Sequence, residues 1–375
     1  MTLWMIIAWS ILVLFGISLV YLGIKIPDLF LFNTTHLSKT TLFILGMLIA
    51  LSLTGVLTLS LDFINAIVCV FYLAAIWLIC DLLFKLIHHT CHFNFPPYLA
   101  GGTALFLCTI ILIIGWHLNH HIYQTNYTLV TTKEIPNLKI ALIADVHLGT
   151  TFDAKGFEKH LQLIQKQNPD IVMIVGDYVD DNTSKEQMIL ATQALGKMPS
   201  KYGTYFVMGN HDKGYYGPAH RGFSEQDLIN ELIKNKITIL RDETVLIDNT
   251  FYIIGRKDIS EENEGHGSRQ SMKQLIAPLD QSKYMIVLDH QPADFENQAK
   301  AKVDLVLSGH THGGQLFPFN RVGKAIGAND MTYGHQHQDK TDFIVTSGIS
   351  SWAIKFKTGT QSEFVIISVK NVSNQ

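Results

Sequence analysis

The chain has 375 residues, 47% of them hydrophobic, and a formal net charge of −3. That composition excludes a disordered chain and argues against a nucleic-acid partner held by charge, and the length exceeds the single core of about 100–200 residues that one domain usually builds. Residues 1–120 hold only three of the 29 basic side chains (Lys25, Lys39, Lys85) and three of the 32 acidic ones (Asp28, Asp62, Asp81), so two parts of the chain are built for two different solvents.

Taken in chain order, the first elements are four apolar stretches, Leu3 to Ile24, Thr41 to Leu61, Phe63 to Leu83 and Tyr98 to Trp116. Each is close to the roughly 20 residues that cross a hydrocarbon core, which makes residues 1–120 a four-helix transmembrane region and the lipid bilayer the first partner. The first stretch has no Lys or Arg before Lys25 and runs too long for a cleaved secretory signal, so it is expected to stay attached. Asp81 stands four residues before Lys85, the spacing of an i,i+4 pair at the interface. All four cysteines, Cys69, Cys80, Cys91 and Cys108, lie in this region and read as small hydrophobes. His88, His89 and His92, and likewise His117, His120 and His121, flank crossings without compact zinc spacing and read as headgroup-level side chains. The positive-inside rule puts the loops with Lys25, Lys39 and Lys85 in the cytoplasm, giving a multi-pass protein of the cell (inner) membrane with an extracytoplasmic polar domain.

Residues 121–137 are expected to be a linker, centred on Thr125 to Pro136, leading into a domain over residues 138–375. There, short apolar runs end repeatedly in small and metal-competent residues. The runs starting at Lys139, Ile171, Tyr205, Tyr284 and Val303 end in Asp145-Val-His147, Gly176-Asp177, Gly209-Asn210-His211-Asp212, Asp289-His290 and Gly309-His310-Thr-His312. Continuous apolar runs fit strands buried on both faces, and ligands in such folds collect beyond the carboxyl ends of the strands. Phe157, Leu161 and Ile164 share a helical face, and Ser224 to Asp227 forms a capping box before another helix. Ile237 to Leu240, Thr244 to Ile247, Thr250 to Ile254, Phe343 to Thr346 and Phe364 to Val369 read as further short strands and point to a second sheet. The fold class is α/β, two packed sheets covered by helices.

A lone Asp-x-His is a weak signal, but five tips in order supply carboxylates, an amide and imidazoles and no thiolate. That is enough for two cations sharing a bridging carboxylate. Together, Asp145-x-His147, Gly176-Asp177-x-x-Asp180, Gly209-Asn210-His211-Asp212, His290 and Gly309-His310-x-His312 resemble the calcineurin-like metallophosphoesterases over about residues 138–320. The Gly309-to-Gln315 segment and Leu288-Asp-His290-Gln-Pro292 look most like the bacterial branch related to the transmembrane protein with metallophosphoesterase domain.

The resemblance implies an αββα sandwich and two divalent metal ions, manganese, iron, zinc or similar. It implies Asp145, His147, Asp177 and His312 around one metal, Asp177, Asn210, His290 and His310 around the other, and His211 as the catalytic residue, a proton donor or a transition-state contact. It further implies a phosphate ester substrate, a phosphodiester or pyrophosphate, lipid-linked ones of the UDP-diacylglucosamine or phospholipid type included, cleaved by in-line attack of a metal-bound hydroxide. Asp180 and Asp212 are expected to orient ligands. Gly176, Gly209 and Gly309 are expected where backbone must approach the metals, and His335 and His337 in a Gly-containing loop, either bordering the pocket or as ordinary surface histidines. Lys355 and Lys357 stand where related proteins carry an arginine. The competing reading is a non-catalytic, membrane-anchored metal-binding or sensing module.

Overall fold

A computed structural model describes residues 3–30, 37–263 and 267–372. The chain divides into two compact units, residues 1–115 and 116–375.

The first unit is helical. Helices α1 (Leu3–Lys25), α2 (Lys39–Ser60), α3 (Phe63–Cys91) and α4 (Pro97–His120, whose last turn belongs to the second unit) are each long and apolar enough to cross a membrane. Helix α3 outruns its expected end at Leu83 by two turns. No breaker precedes Asn94, and His92 closes the helix in a left-handed cap with φ 55°. The Ser38 hydroxyl and the Asp62 carboxylate cap α2 and α3 by accepting the N–H groups of Thr41 and Asn65. Leu22, Ala50, Val70, Trp77 and Ala104 pack at the centre. Helices α1 and α2 meet at glycine, where a Cβ on Gly46 would strike the Gly23 carbonyl. Asp81 does not pair with Lys85. Its Oδ2 accepts Lys25 Nζ at 2.6 Å and Tyr21 Oη at 2.9 Å, a partner on another helix displacing the local one.

The second unit is built on two six-stranded sheets. The strands are β1 (Ile122–Thr131), β2 (Leu138–Ile143), β3 (Ile171–Val175), β4 (Thr204–Val207), β5 (Ile237–Ile239), β6 (Glu243–Ile247), β7 (Phe251–Gly255), β8 (Tyr284–Leu288), β9 (Leu305–Ser308), β10 (Gly334–Gln338), β11 (Thr341–Val345) and β12 (Ser362–Asn371). They order as β1-β12-β2-β3-β4-β5 and β10-β11-β9-β8-β7-β6. Strands β2 to β5 run parallel, as do β7, β8, β9 and β11.

Successive side chains of each strand serve different layers. Ile140 and Leu142 of β2 point between the sheets, where they meet Ile286, Leu288, Leu305 and Leu307. Ala141 and Ile143 point outward beneath α5 (Ala154–Gln165) and α6 (Lys185–Gly196), whose Phe157, Leu161, Ile164, Met188 and Leu195 complete that layer. After the single turn α7 (Pro218–Arg221) comes α8 (Glu225–Lys234), which begins with the expected Ser224/Asp227 capping box. Beyond α9 (Ser260–Asn263), α10 (Met272–Ile276) and α11 (Phe295–Lys300) cover the other sheet through Met272, Leu275, Phe295 and Ala299. The result is a helix, sheet, sheet, helix sandwich.

Two expectations change here. Residues 122–131 are no linker but a ten-residue edge strand, parallel to β12 from Ile122↔Ser362 to Thr131↔Asn371. Its half-exposed alternation looks polar in sequence because one side of an edge strand meets water. Strand β5 joins the first sheet beside β4, while β6 and β7 belong to the second.

Candidate metal centre

Three tips come from the first sheet and two from the second. Ladder bonding carries on past the strands: the N–H groups of Asp145 and His147 donate to the carbonyls of Gly176 and Asp177, and that of Gly309 donates to the His290 carbonyl, each at 3.0 Å. The Asp145 carboxylate ties the sheets together by accepting the His310 N–H at 2.9 and 3.1 Å. Asp145, His147, Asp177, His310 and His312 all sit in the left-handed region, with φ between 38° and 70°. Five such residues at one place are backbone strain concentrated at a functional site. Gly176 is required twice over, since its φ is 77° and a Cβ there would run into the His290 ring.

The expected ligands converge in two groups. Asp145, His147 and His312 form one, and Asp177, His290 and His310 the other, with the ligating atoms of each group within 4.8 Å of one another. Asp177 Oδ2 stands between them, 3.6 Å from His147 Nε2 and 3.1 Å from His290 Nε2. Asn210 joins the second group through its Oδ1, 3.0 Å from His310 Nδ1, and its Nδ2 donates to Tyr215 Oη at 2.9 Å, which fixes the amide. His290 Nδ1 donates to the Val175 carbonyl at 2.8 Å, which fixes the ring with Nε2 turned toward Asp177.

This donor set fits two divalent cations. Both ring nitrogens of His147 and Nε2 of His290 are buried without hydrogen-bond partners, although leaving a buried polar group unmet costs roughly 1–3 kcal/mol. The electrostatics point the same way. Burial pushes Asp145 up to about 6, with Asp177 reinforcing it against His290 and His147. Burial also acts to raise Asp177, but His290, His211 and His147 outweigh it and hold that carboxylate well below its usual range. His290 is held well above the ordinary imidazole value, burial being overcome by Asp177 and Asp145. Burial and His290 push His310 down to about 4, while burial, His147 and Lys357 push His312 well below its ordinary value. The pocket thus draws positive charge toward Asp177, a demand that a divalent cation meets.

His211 lies against this centre, its ring 5.0 Å from that of His147 and 5.2 Å from those of Tyr215 and Trp352, and its N–H donates to Asp177 Oδ1 at 2.9 Å. Asp180 Oδ2 faces His147 Nδ1 at 3.5 Å. Asp212 acts on a ligand through its backbone. Its carboxylate accepts the N–H groups of Asp177, Tyr178, Val179 and Gly209 at 2.8–3.0 Å, pinning the β3 tip to the β4 tip. His335 and His337 lie on strand β10, not in a loop, and both meet Asp342 Oδ1.

Sequence reasoning missed the supports. Lys357 is fully buried, and its Nζ donates to the carbonyls of Ser347 and Gly348, the turn whose glycine packs against Asp145. Burial pushes its ammonium down to about 7. Glu363, also buried, accepts the Ser347 N–H and the Thr346 and Tyr333 hydroxyls. Behind His290, buried Asp289 meets Arg256, Arg269 and Gln298 through one oxygen. In sequence these charges stand at the ends of apolar runs, Asp289 after Tyr284–Leu288 and Glu363 before Phe364, where nothing separates them from ordinary polar ends.

Compared with known proteins, residues 138–314 match the family model for calcineurin-like phosphoesterase. An uncharacterized metallophosphoesterase of Campylobacter jejuni is 33% identical over 244 residues, 63% of this chain and 61% of its own length. A transmembrane protein with metallophosphoesterase domain from Bos taurus is 29% identical over 286 residues, 71% of this chain and 61% of its own. The chain thus spans about six-tenths of the length of these curated relatives. Among solved structures, a dimetal phosphatase from Danio rerio is similar with a TM-score of 0.41 and 14% identity, covering 61% of this chain and 92% of that one.

Proposed function

We propose that this chain, whose residues 138–314 match the family model for calcineurin-like phosphoesterase, is a membrane-attached phosphoesterase using two divalent cations. The observation that carries the reading is the Asp177 carboxylate, set between two groups of buried His and Asp donors. Asp145, His147, Asp177 and His312 would hold one cation and Asp177, Asn210, His290 and His310 the other. When bound, such a pair ionises a water near neutral pH and offsets charge on phosphoryl oxygens. Asp177 would serve both cations, and Asp212 holds the Asp177 backbone in place by accepting its N–H. His211, packed among His147, Tyr215 and Trp352, donates the proton that the leaving oxygen needs.

The substrate class is a phosphodiester or pyrophosphate carried on a lipid. Four apolar helices support this, as does the exposure of Trp352 (49%) beside His211. The positive-inside rule applied to Lys25, Lys39 and Lys85 makes the domain extracytoplasmic in the cell (inner) membrane, which favours phospholipid headgroups over a nucleotide-linked lipid. The test uses the full chain purified in detergent, with manganese and a chromogenic phosphodiester, alongside Asp177→Ala. Wild type should bind two metal ions per chain by elemental analysis and turn over. Asp177→Ala should lose metal and activity by roughly 100-fold or more, beyond the 10–100-fold typical of outer-shell partners. Equal turnover in the two proteins would remove the proposal.

A further inference from the structure

A cavity of about 590 Å³ lies within the first unit. It sits at the end of the helices where α1 finishes at Lys25, α3 passes Lys85, His88 and His89, and α4 begins at Pro97. We infer that this cavity is a binding site for the phosphate of a membrane phospholipid headgroup, held by Lys85, His88 and His89.

Spacing supplies the first argument. Residues 85, 88 and 89 stand at i, i+3 and i+4 on α3, so a lysine and two imidazoles share one helical face. Partners supply the second. Lys25 lies between the two carboxylates of the cavity, 2.6 Å from Asp81 and 3.8 Å from Asp28, and Tyr21 donates to Asp81, so one lysine and one hydroxyl serve both. Lys85, in contrast, has no ion pair among the described residues. His88 Nδ1 contacts the Phe93 carbonyl at 3.1 Å, which leaves its Nε2 open to another group. Lys85, His88 and His89 thus share one helical face with no ion pair among the described residues, and the start of a 24-residue helix, whose positive dipole end favours an anion, also lines the cavity.

Size and setting supply the third argument. A cavity of this volume is in the range of small-ligand sites, about 300–1,000 Å³, and is too large for phosphate alone. Phe84 and Phe95 border it, stacked at 4.7 Å between centroids, an apolar lip suited to glycerol and the start of acyl chains. Basic pockets between transmembrane helices at headgroup depth are where anionic lipids are recognised. The inference does not depend on hydrolysis at the metal centre.

The test measures binding of dihexanoyl phosphatidylglycerol to the full chain in an uncharged detergent, with glycerol 1-phosphate and inorganic phosphate as competitors. Lys85→Gln and His89→Gln should each raise the lipid dissociation constant about 3-fold and the double variant about 10-fold. Lys39→Gln, outside the cavity, should leave it unchanged, as should all three substitutions for diester turnover. Helix content by circular dichroism confirms that each variant is folded. Equal lipid affinity in folded wild type and double variant would overturn the inference. So would inorganic phosphate binding as tightly as the lipid, which would make this a small-anion site.

Discussion

Asp212→Asn isolates the scaffold of the metal centre from its ligands. Asp212 carries four backbone N–H groups, two on each carboxylate oxygen: Oδ1 takes Tyr178 at 2.8 Å and Val179 at 3.0 Å, and Oδ2 takes Asp177 at 2.9 Å and Gly209 at 2.8 Å. An asparagine of the same shape turns one of those oxygens into a donor, so two buried N–H groups lose their acceptor. At roughly 1–3 kcal/mol each, the loss is about 2–6 kcal/mol, a large share of the roughly 5–15 kcal/mol that holds a domain folded. For a domain of this size, where 1 kcal/mol moves Tm by about 2–4 °C, the expected fall is roughly 5–20 °C. The assay is thermal unfolding of the full chain by circular dichroism at pH 8, above the value of about 7 to which burial and Asp177 push this carboxyl. Each protein is measured with chelator and with saturating manganese, because bound metal raises Tm by itself. Asp153→Asn is the control: Asp153 caps α5 through the Gly156 N–H at 2.8 Å, and asparagine caps about equally well. If Asp212→Asn unfolds with the control, the four hydrogen bonds do not hold the site and the reasoning fails.

Three further outcomes are expected. His211→Ala should keep two metal ions per chain while kcat falls about 10²–10⁴-fold, least for esters with good leaving groups; loss of metal alongside activity would instead make His211 part of the metal scaffold. Lys357→Met should flatten the pH dependence of stability, because a lysine pushed from 10.5 to about 7 binds its proton more weakly folded than unfolded. Wild type therefore gains stability as pH rises from about 7 toward 10.5, by up to about 1.4 kcal/mol per pH unit, and the same slope of urea midpoint against pH in both proteins would refute the role of that ammonium. Asp289→Ala strands the Arg269 guanidinium and leaves Arg256 with Asp294 alone, and should cost about 3–5 kcal/mol in urea unfolding; a loss under about 1 kcal/mol would mean that Asp294 and water suffice.

The strands that carry the centre were legible because each is buried on both faces and so reads as an unbroken apolar run, as in Ile171–Val175. Their polar tips then stand out, and the structure gathers them into two groups of donors. Strand β1 was hidden by its position, since an edge strand keeps polar residues such as Gln124 and Asn126 toward water and resembles a linker. Assignment of β5 to a sheet depended on whether Ile237 pairs with Thr204, a contact across 33 residues that no local pattern encodes. Asp81 shows the same limit from the side-chain view: its neighbour at i+4 was visible and its true partner Lys25, two helices away, was not. Asp212 could be placed at the centre by its motif, but only coordinates show that it grips backbone.

Strand β12 lies between β1 and β2, parallel to one and antiparallel to the other. A ribosome delivers the two flanking strands first and their shared neighbour ~220 residues later, an interval of roughly 10–45 s at 5–20 residues per second. Throughout that wait both facing edges are open, and the apolar row Val365, Ile367 and Val369 that seals the interior has yet to be translated. A message truncated before codon 362 would therefore release a chain with every proposed metal donor already made, yet with a slot in its first sheet that another unfinished copy could fill.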